Sequence, residues 1–201
     1  MTINKILAIL ASPSDEQDKR LNEITKAFNI FCQKCVQKGV KVDTIDLYNE
    51  DEFEASDYLD SDNSKVLEYQ IRIKNSDLVV IFHPVVFDSV PAILKGFLDN
   101  VMTLGFAYTV ENKVSIGSLT DKELLVVAFD ENSAFESKFI FGNQLQNFWK
   151  KTISYYCGFK KTNVEMFYSY RNDSEIKVAR WDRKLDKISN KINFKTTILD
   201  I

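Results

Sequence analysis

The sequence predicts a three-layer α/β protein: a doubly wound, five-stranded parallel sheet of order 2-1-3-4-5, formed by residues 1–201 as one domain. Three observations point there. Short apolar runs alternate with longer segments whose apolar residues recur every three or four positions, and the pair repeats five times. Such alternation implies parallel strands joined by right-handed helical crossovers. A chain of 201 residues fits one domain. It also hides roughly 70% of the surface its unfolded form exposes, enough to fold without metal or disulfide.

The elements are taken in chain order. Lys5–Ala11 reads as a buried strand. Leu21, Ile24, Phe28, Phe31, Cys35 and the adjoining Cys32 and Val36 mark a long helix that Gly39 closes. Val40–Leu47 alternates as strand two, and Asn49–Ser64 is an acidic excursion before a shorter helix over 65–75. Leu78–Phe82 is continuous and largely β-branched, as a strand buried on both faces should be. Pro91 starts a helix with Ile93, Leu94, Phe97, Leu98, Val101 and Met102 along one stripe. Leu104–Thr120 reads as a loop and Glu123–Phe129 as strand four. A helix is expected over about Phe139–Tyr156, strand five over Phe159–Tyr168, and a last helix over Ile176–Ile192. The order 2-1-3-4-5 is the simple closure. It sets the switch in strand order between strands one and three, where ligands bind at the carboxyl ends.

Composition excludes several functions. Net charge is −3, so neither nucleic acid nor an anionic membrane surface is an expected partner. The apolar run from Ile6 to Ala11 is too short to span a bilayer, and no targeting segment is visible. Three cysteines suit a reducing compartment, and a cytoplasmic location is expected. Cys32 and Cys35 stand mid-helix on the apolar face, far from the positive surroundings that activate a thiol, and read as core residues. With one further Cys and one His, a four-ligand zinc site is not expected.

The stretch from Pro84 through Val85, Val86, Phe87, Asp88, Ser89, Val90 and Pro91 to Asp99 resembles the NAD(P)H:quinone oxidoreductases of flavodoxin-like fold. Their run here is Pro-Leu, an aromatic, a small residue, Met or Val, then Pro-Ala-Ile-Leu-Lys-Gly-Trp. Gly105-Phe106-Ala107-Tyr108 matches the family's Gly-Phe-Ala-Tyr, Cys157-Gly158-Phe159 its Cys-Gly-Phe, and Ala11-Ser12-Pro13 resembles its Ala-His-Pro. The resemblance covers about residues 3–170. It implies a homodimer that holds FMN or FAD, takes two electrons from NAD(P)H, and passes them to a quinone or similar small-molecule acceptor. The protein's share of such chemistry is placement and electrostatics.

By that resemblance, Ser12, Lys19, Pro84, Val85, Val86, Phe87 and Asp88 are the expected cofactor-binding residues. Catalytic residues are not assigned. Three loops depart from the family pattern. In the first, Ser14-Asp15-Glu16-Gln17 reads as a capping box whose acids suit a helix start, yet they fall where a phosphate is expected. A like-charge contact at ~4 Å costs up to about 4 kcal/mol at an effective dielectric near 20, which Lys19 would offset if it points inward. In the second, Asp88 replaces an apolar aromatic; a carboxylate there would oppose the negative charge of a reduced flavin, and it reads equally as a bland residue, either a solvated loop acid or a cap for the Pro91 helix. In the third, Asp130-Glu131-Asn132-Ser133 stands where Thr-Thr-Gly-Gly is expected, and the Tyr–His pair of the mammalian-type enzymes has no equivalent. His83, the only histidine, reads as a strand-end residue bonded to a neighbouring loop. The acids at Asp15, Glu16, Asp88, Asp130 and Glu131 keep a second function open: a flavin-free relative serving as a binding or regulatory subunit.

Overall fold

The computed structural model describes residues 2–13, 19–50, 64–169, 175–192 and 194, with the backbone alone for 19–20 and 175–180. The capping box at Ser14–Gln17, with Asp15 and Glu16, and most of the acidic excursion lie outside the described residues. The strands are β1 (Lys5–Leu10), β2 (Lys41–Asp46), β3 (Leu78–Pro84), β4 (Tyr108–Glu111), β5 (Val114–Gly117), β6 (Glu123–Asp130) and β7 (Lys161–Tyr168). The principal helices are α1 (Lys19–Gln37), α2 (Ser64–Lys74) and α3 (Ala92–Val101). Short helices α4 (Gln144–Asn147) and α5 (Ser154–Cys157) come next, then α6 (Glu175–Lys191). No helix among the described residues is long and apolar enough to cross a membrane.

The main sheet has five parallel strands in the order β2-β1-β3-β6-β7. This corrects the expected order 2-1-3-4-5. The segment Leu104–Thr120, read as a loop, holds a separate antiparallel hairpin, β4-β5, so the strands numbered four and five in the chain do not enter the main sheet. Asn112 and Lys113 join the hairpin's strands with φ of 50° and 65°, the left-handed pair of a type I′ turn.

All seven residues of β3 are buried, as expected of a central parallel strand. Alternate side chains feed two cores. Leu7, Ile9, Val79, Ile81, Val126 and Ala128 pack on the face of α2 and α3. Ile6, Ala8, Leu10, Val80, Phe82, Val127 and Phe129 pack on the face of α1 and α6. Lys34 of α1 pairs with Asp186 of α6 across that second layer. Lys122, almost wholly buried, donates to the carbonyls of Lys74 (2.8 Å) and Ser76 (2.9 Å), closing the C-terminus of α2 where carbonyls lack helical partners.

The helix expected over Phe139–Tyr156 is broken. Its first turn, Glu136–Ile140, is a π-turn, and Gly142 (φ 69°) and Asn143 (φ 54°) interrupt it in left-handed conformations that these two residue types tolerate. A second π-turn, Phe148–Ile153, joins α4 to α5. Leu145 and Trp149 are core residues of the expected stripe, whereas Thr152 and Tyr156 face outward.

The Cys-Gly-Phe segment packs on the hairpin. A Cβ on Gly117 would lie 2.2 Å from the backbone nitrogen of Gly158, and one on Gly158 would lie 2.8 Å from the Gly117 Cα. The backbone N–H of Leu119 donates to the Cys157 carbonyl at 2.9 Å. Glycine is required on both sides, and Gly158 also has a φ of 74°.

Candidate functional site

The strand order reverses between β1 and β3, and a cleft of about 610 Å³ opens at the carboxyl ends of β1, β3 and β6. That size suits a cofactor or drug-sized ligand. Pro84, Val85, Val86, Phe87 and Asp88, all expected from the sequence, line it together with Asp130 and Glu131 of the third loop. Ser12 lies at the end of β1, beside the cleft-lining Pro13. It is buried, and its hydroxyl has no partner. Lys19 is the first residue of α1, described by its backbone alone. Asn132 of the third loop also lines the cleft, as do Leu21, Tyr48 and Phe141, which sequence reasoning missed. Tyr48 was within reach, since it lies just past the end of strand two and such crevices are lined by loops at the carboxyl ends of strands.

The loop after β3 carries the strongest local signal. Val86 and Ser89 exchange two backbone hydrogen bonds of 3.0 Å, closing a tight turn on Phe87 and Asp88. Both central residues are left-handed, with φ of 48° and 55°. Glycine or asparagine normally fills such positions. Phe87 is 99% exposed. The chain therefore accepts backbone strain and an uncovered aromatic at the same residue, a combination typical of ligand-contacting turns.

The loop after β6 begins on Asp130, only 1% exposed. Its Oδ1 accepts the Asn132 N–H at 2.9 Å, while its Oδ2 has no partner. Burial, with smaller contributions from the charges of Asp88 and Glu131, raises its pKa above the ordinary carboxylate value; the bond from the Asn132 N–H opposes this in part. Ser133 and Glu136 then form a reciprocal cap, Ser133 N–H to the Glu136 carboxylate at 2.8 Å and Glu136 N–H to the Ser133 hydroxyl at 3.2 Å. Where the family pattern has glycines, this chain builds the start of a helical turn.

His83 sits wholly buried beneath the loop, and its Nδ1–H donates to the Pro84 carbonyl at 2.8 Å. That bond fixes the tautomer and leaves Nε2 as an unpartnered acceptor, with the Trp149 ring 5.7 Å away. Burial lowers its pKa to about 4. It stays neutral and braces the loop. The thiols of Cys32, Cys35 and Cys157 are pushed up to about 12 by burial, so they are inert at neutral pH. Among the described residues no group of metal-ligating side chains is present.

A second, more apolar cavity of about 530 Å³ lies between α3 and α5, lined by Leu98, Met102, Leu104, Tyr108, Phe148 and Tyr156 among others. Leu104 and Tyr156 are both substantially exposed.

Residues 4–192 match the family model described as flavodoxin-like fold, and the chain belongs to that family. It is 30% identical over 139 residues to an uncharacterized NAD(P)H oxidoreductase of Haemophilus influenzae, covering 65% of this chain and 69% of that protein. It is 29% identical over 168 residues to an FMN-dependent NADH:quinone oxidoreductase of Clostridium beijerinckii, covering 79% of this chain and 82% of that one. The chain spans 58% of the length of the rat ribosyldihydronicotinamide dehydrogenase [quinone] that it matches. Among solved structures, an FMN-dependent NADH-azoreductase of Bacillus anthracis in complex with FMN superposes with a TM-score of 0.73 at 17% identity, covering 94% of this chain and 99% of that one.

Proposed function

We propose that the chain is a flavin-dependent NAD(P)H oxidoreductase that passes two electrons to a quinone-like or azo-like acceptor. The observation that carries this reading is the cleft at the switch in strand order, with the strained Val86–Ser89 turn holding Phe87 uncovered at its mouth. The residues present fit a flavin. The cleft walls are apolar at Pro13, Val85 and Pro91, and two buried polar atoms, Ser12 Oγ and Asp130 Oδ2, lie at the strand ends without partners. Buried polar groups are rarely left so unless something binds them.

A bound flavin supplies the two-electron relay between a dihydronicotinamide and the acceptor. The chain's own residues do the rest. Pro84 and Val85 extend β3 as a rigid edge for a flat ring, since the Val85 N–H is already committed to the Phe129 carbonyl at 2.8 Å. Phe87 offers a stacking face and shields it from water. Asp130 retains a proton more readily than an ordinary carboxylic acid, which softens the conflict between a buried acid and an electron-rich ring. Ser12 and Lys19 are the groups we assign to the phosphate side.

We take residues 1–201 as one catalytic unit working as a homodimer in the cytoplasm, with the cavity beside Leu104 and Tyr156 as the contact face. Titration with FMN and FAD tests the function: the expected result is stoichiometric uptake, with the spectrum of the bound flavin bleaching on NAD(P)H. A protein that takes up neither flavin would favour the flavin-free alternative.

A further inference from the structure

Two-electron reduction of a quinone takes a hydride and a proton, and the proton needs a source beside the acceptor. Among the described residues that line the cleft, Asp130 alone is a buried acid, 1% exposed at the end of β6. Its two oxygens are not equivalent. Oδ1 accepts the Asn132 N–H at 2.9 Å, which orients the carboxyl and favours a proton on the other oxygen. Oδ2 is buried and has no partner. A protonated Asp130 therefore carries a buried O–H that no protein group accepts. Such a donor is costly to leave unmet, and an arriving acceptor oxygen meets it. The ionisable groups around it are Asp88 on the β3 turn, Glu131 on its own loop and Tyr168 opposite on β7. His83, which pairs with Ala128 two residues down β6, is neutral. On the turn that follows, Glu136 is bonded to Ser133, and Lys138 lies over the Phe139 ring. Burial favours the neutral acid, and none of the neighbouring charges opposes it.

We propose that Asp130 is the proton donor of this site, giving its Oδ2 proton to the acceptor as the electron pair arrives. The proposal rests on the flavin-dependent reading above and assigns that reaction its acid. With RCOOH the Asp130 side chain, the step balances as Q + NAD(P)H + RCOOH → QH₂ + NAD(P)⁺ + RCOO⁻. The C4–H bond of the dihydronicotinamide breaks, and NAD(P)H is oxidised. An O–H bond forms at one quinone oxygen with the hydride's hydrogen and electron pair. The O–H bond at Oδ2 breaks, and its proton forms the second O–H of the reduced quinone. The carboxylate left behind takes a proton from solvent before the next turnover.

The test is Asp130→Asn, which keeps the side chain's size and an oxygen for the Asn132 N–H, with Asp130→Glu to return an acid. In flavin-loaded protein reduced with NAD(P)H, reoxidation by menadione, which needs the proton, is compared with reoxidation by ferricyanide, which needs none. The menadione-to-ferricyanide rate ratio is expected to fall roughly 100-fold in Asp130→Asn and to recover in part in Asp130→Glu. In the unaltered protein the ratio should fall as pH rises through the Asp130 pKa, a limb that Asp130→Asn should lack. A readout free of turnover is infrared spectroscopy of the flavin-free protein at mildly acidic pH. It should show the carbonyl stretch of a buried protonated carboxyl that Asp130→Asn removes. A rate ratio unmoved by Asp130→Asn in protein that has taken up flavin, or an infrared spectrum that the substitution leaves unchanged, overturns the proton donor alone. Failure to take up flavin overturns the oxidoreductase reading, and the donor falls with it.

Discussion

At the scale of single residues, the site is a set of costs that the fold tolerates. Phe87 has left-handed backbone and an uncovered ring. Phe87→Asn should therefore raise stability by about 1 kcal/mol in urea unfolding while lowering turnover, since asparagine suits the turn but stacks on nothing. Asp130 is a buried acid with a raised pKa, so its contribution to stability is present below the ordinary carboxylate range and lost as pH rises through the raised value. Asp130→Asn in the flavin-free protein should flatten that part of the pH–stability curve and add roughly 1 kcal/mol at neutral pH. His83 has the opposite sign. Its neutral form is favoured by burial, so stability is full above the ordinary histidine value of 6.5 and falls as pH drops toward about 4. Thermal unfolding monitored across that window should show a loss of up to roughly 3 kcal/mol that His83→Gln removes. The sequence singled out Pro84–Asp88, which line the cleft, because a long motif brackets them. It did not reveal the positive φ at Phe87 and Asp88, since neither residue type advertises a left-handed turn.

At the scale of elements, strands buried on both faces were legible from their unbroken apolar runs, and Leu78–Phe82 marked the centre of the sheet at once. The hairpin was not. Tyr108–Glu111 and Val114–Gly117 are four residues each and mostly exposed, so neither has an apolar face to declare itself. Their turn is Asn-Lys rather than Asn-Gly, which weakens the local cue. The interrupted helix after β6 was hidden for a different reason: its apolar residues keep helical spacing across a break made by Gly142 and Asn143. The buried end of α2 illustrates how one element depends on another. Lys122→Met should leave the Lys74 and Ser76 carbonyls without that donor and cost about 1–3 kcal/mol in denaturant unfolding.

At the scale of the whole molecule, exposed apolar surface gathers beside the cavity between α3 and α5, with Leu104 63% and Tyr156 48% exposed. A contact between two copies would cover it. Leu104→Asp with Tyr156→Asp should convert a two-copy species into a single copy in sedimentation, with secondary structure retained. Surface of this kind could not be read from the sequence, where the same aromatic run serves equally as core. A cleft opens at the switch in strand order between β1 and β3, the edge to which the alternation of strands and helices directed attention.

The contact between Gly117 and Gly158 ties two positions together in heredity as well as in space. Gly117→Ala or Gly158→Ala drives a Cβ into the partner's backbone. Neither can be rescued by trimming a neighbour, because there is no side chain left to trim. In a library that varies both sites at random, survivors should keep glycine at each, and no compensating pair should emerge. Any sequence that keeps this packing must carry the two glycines forward as a single inherited unit.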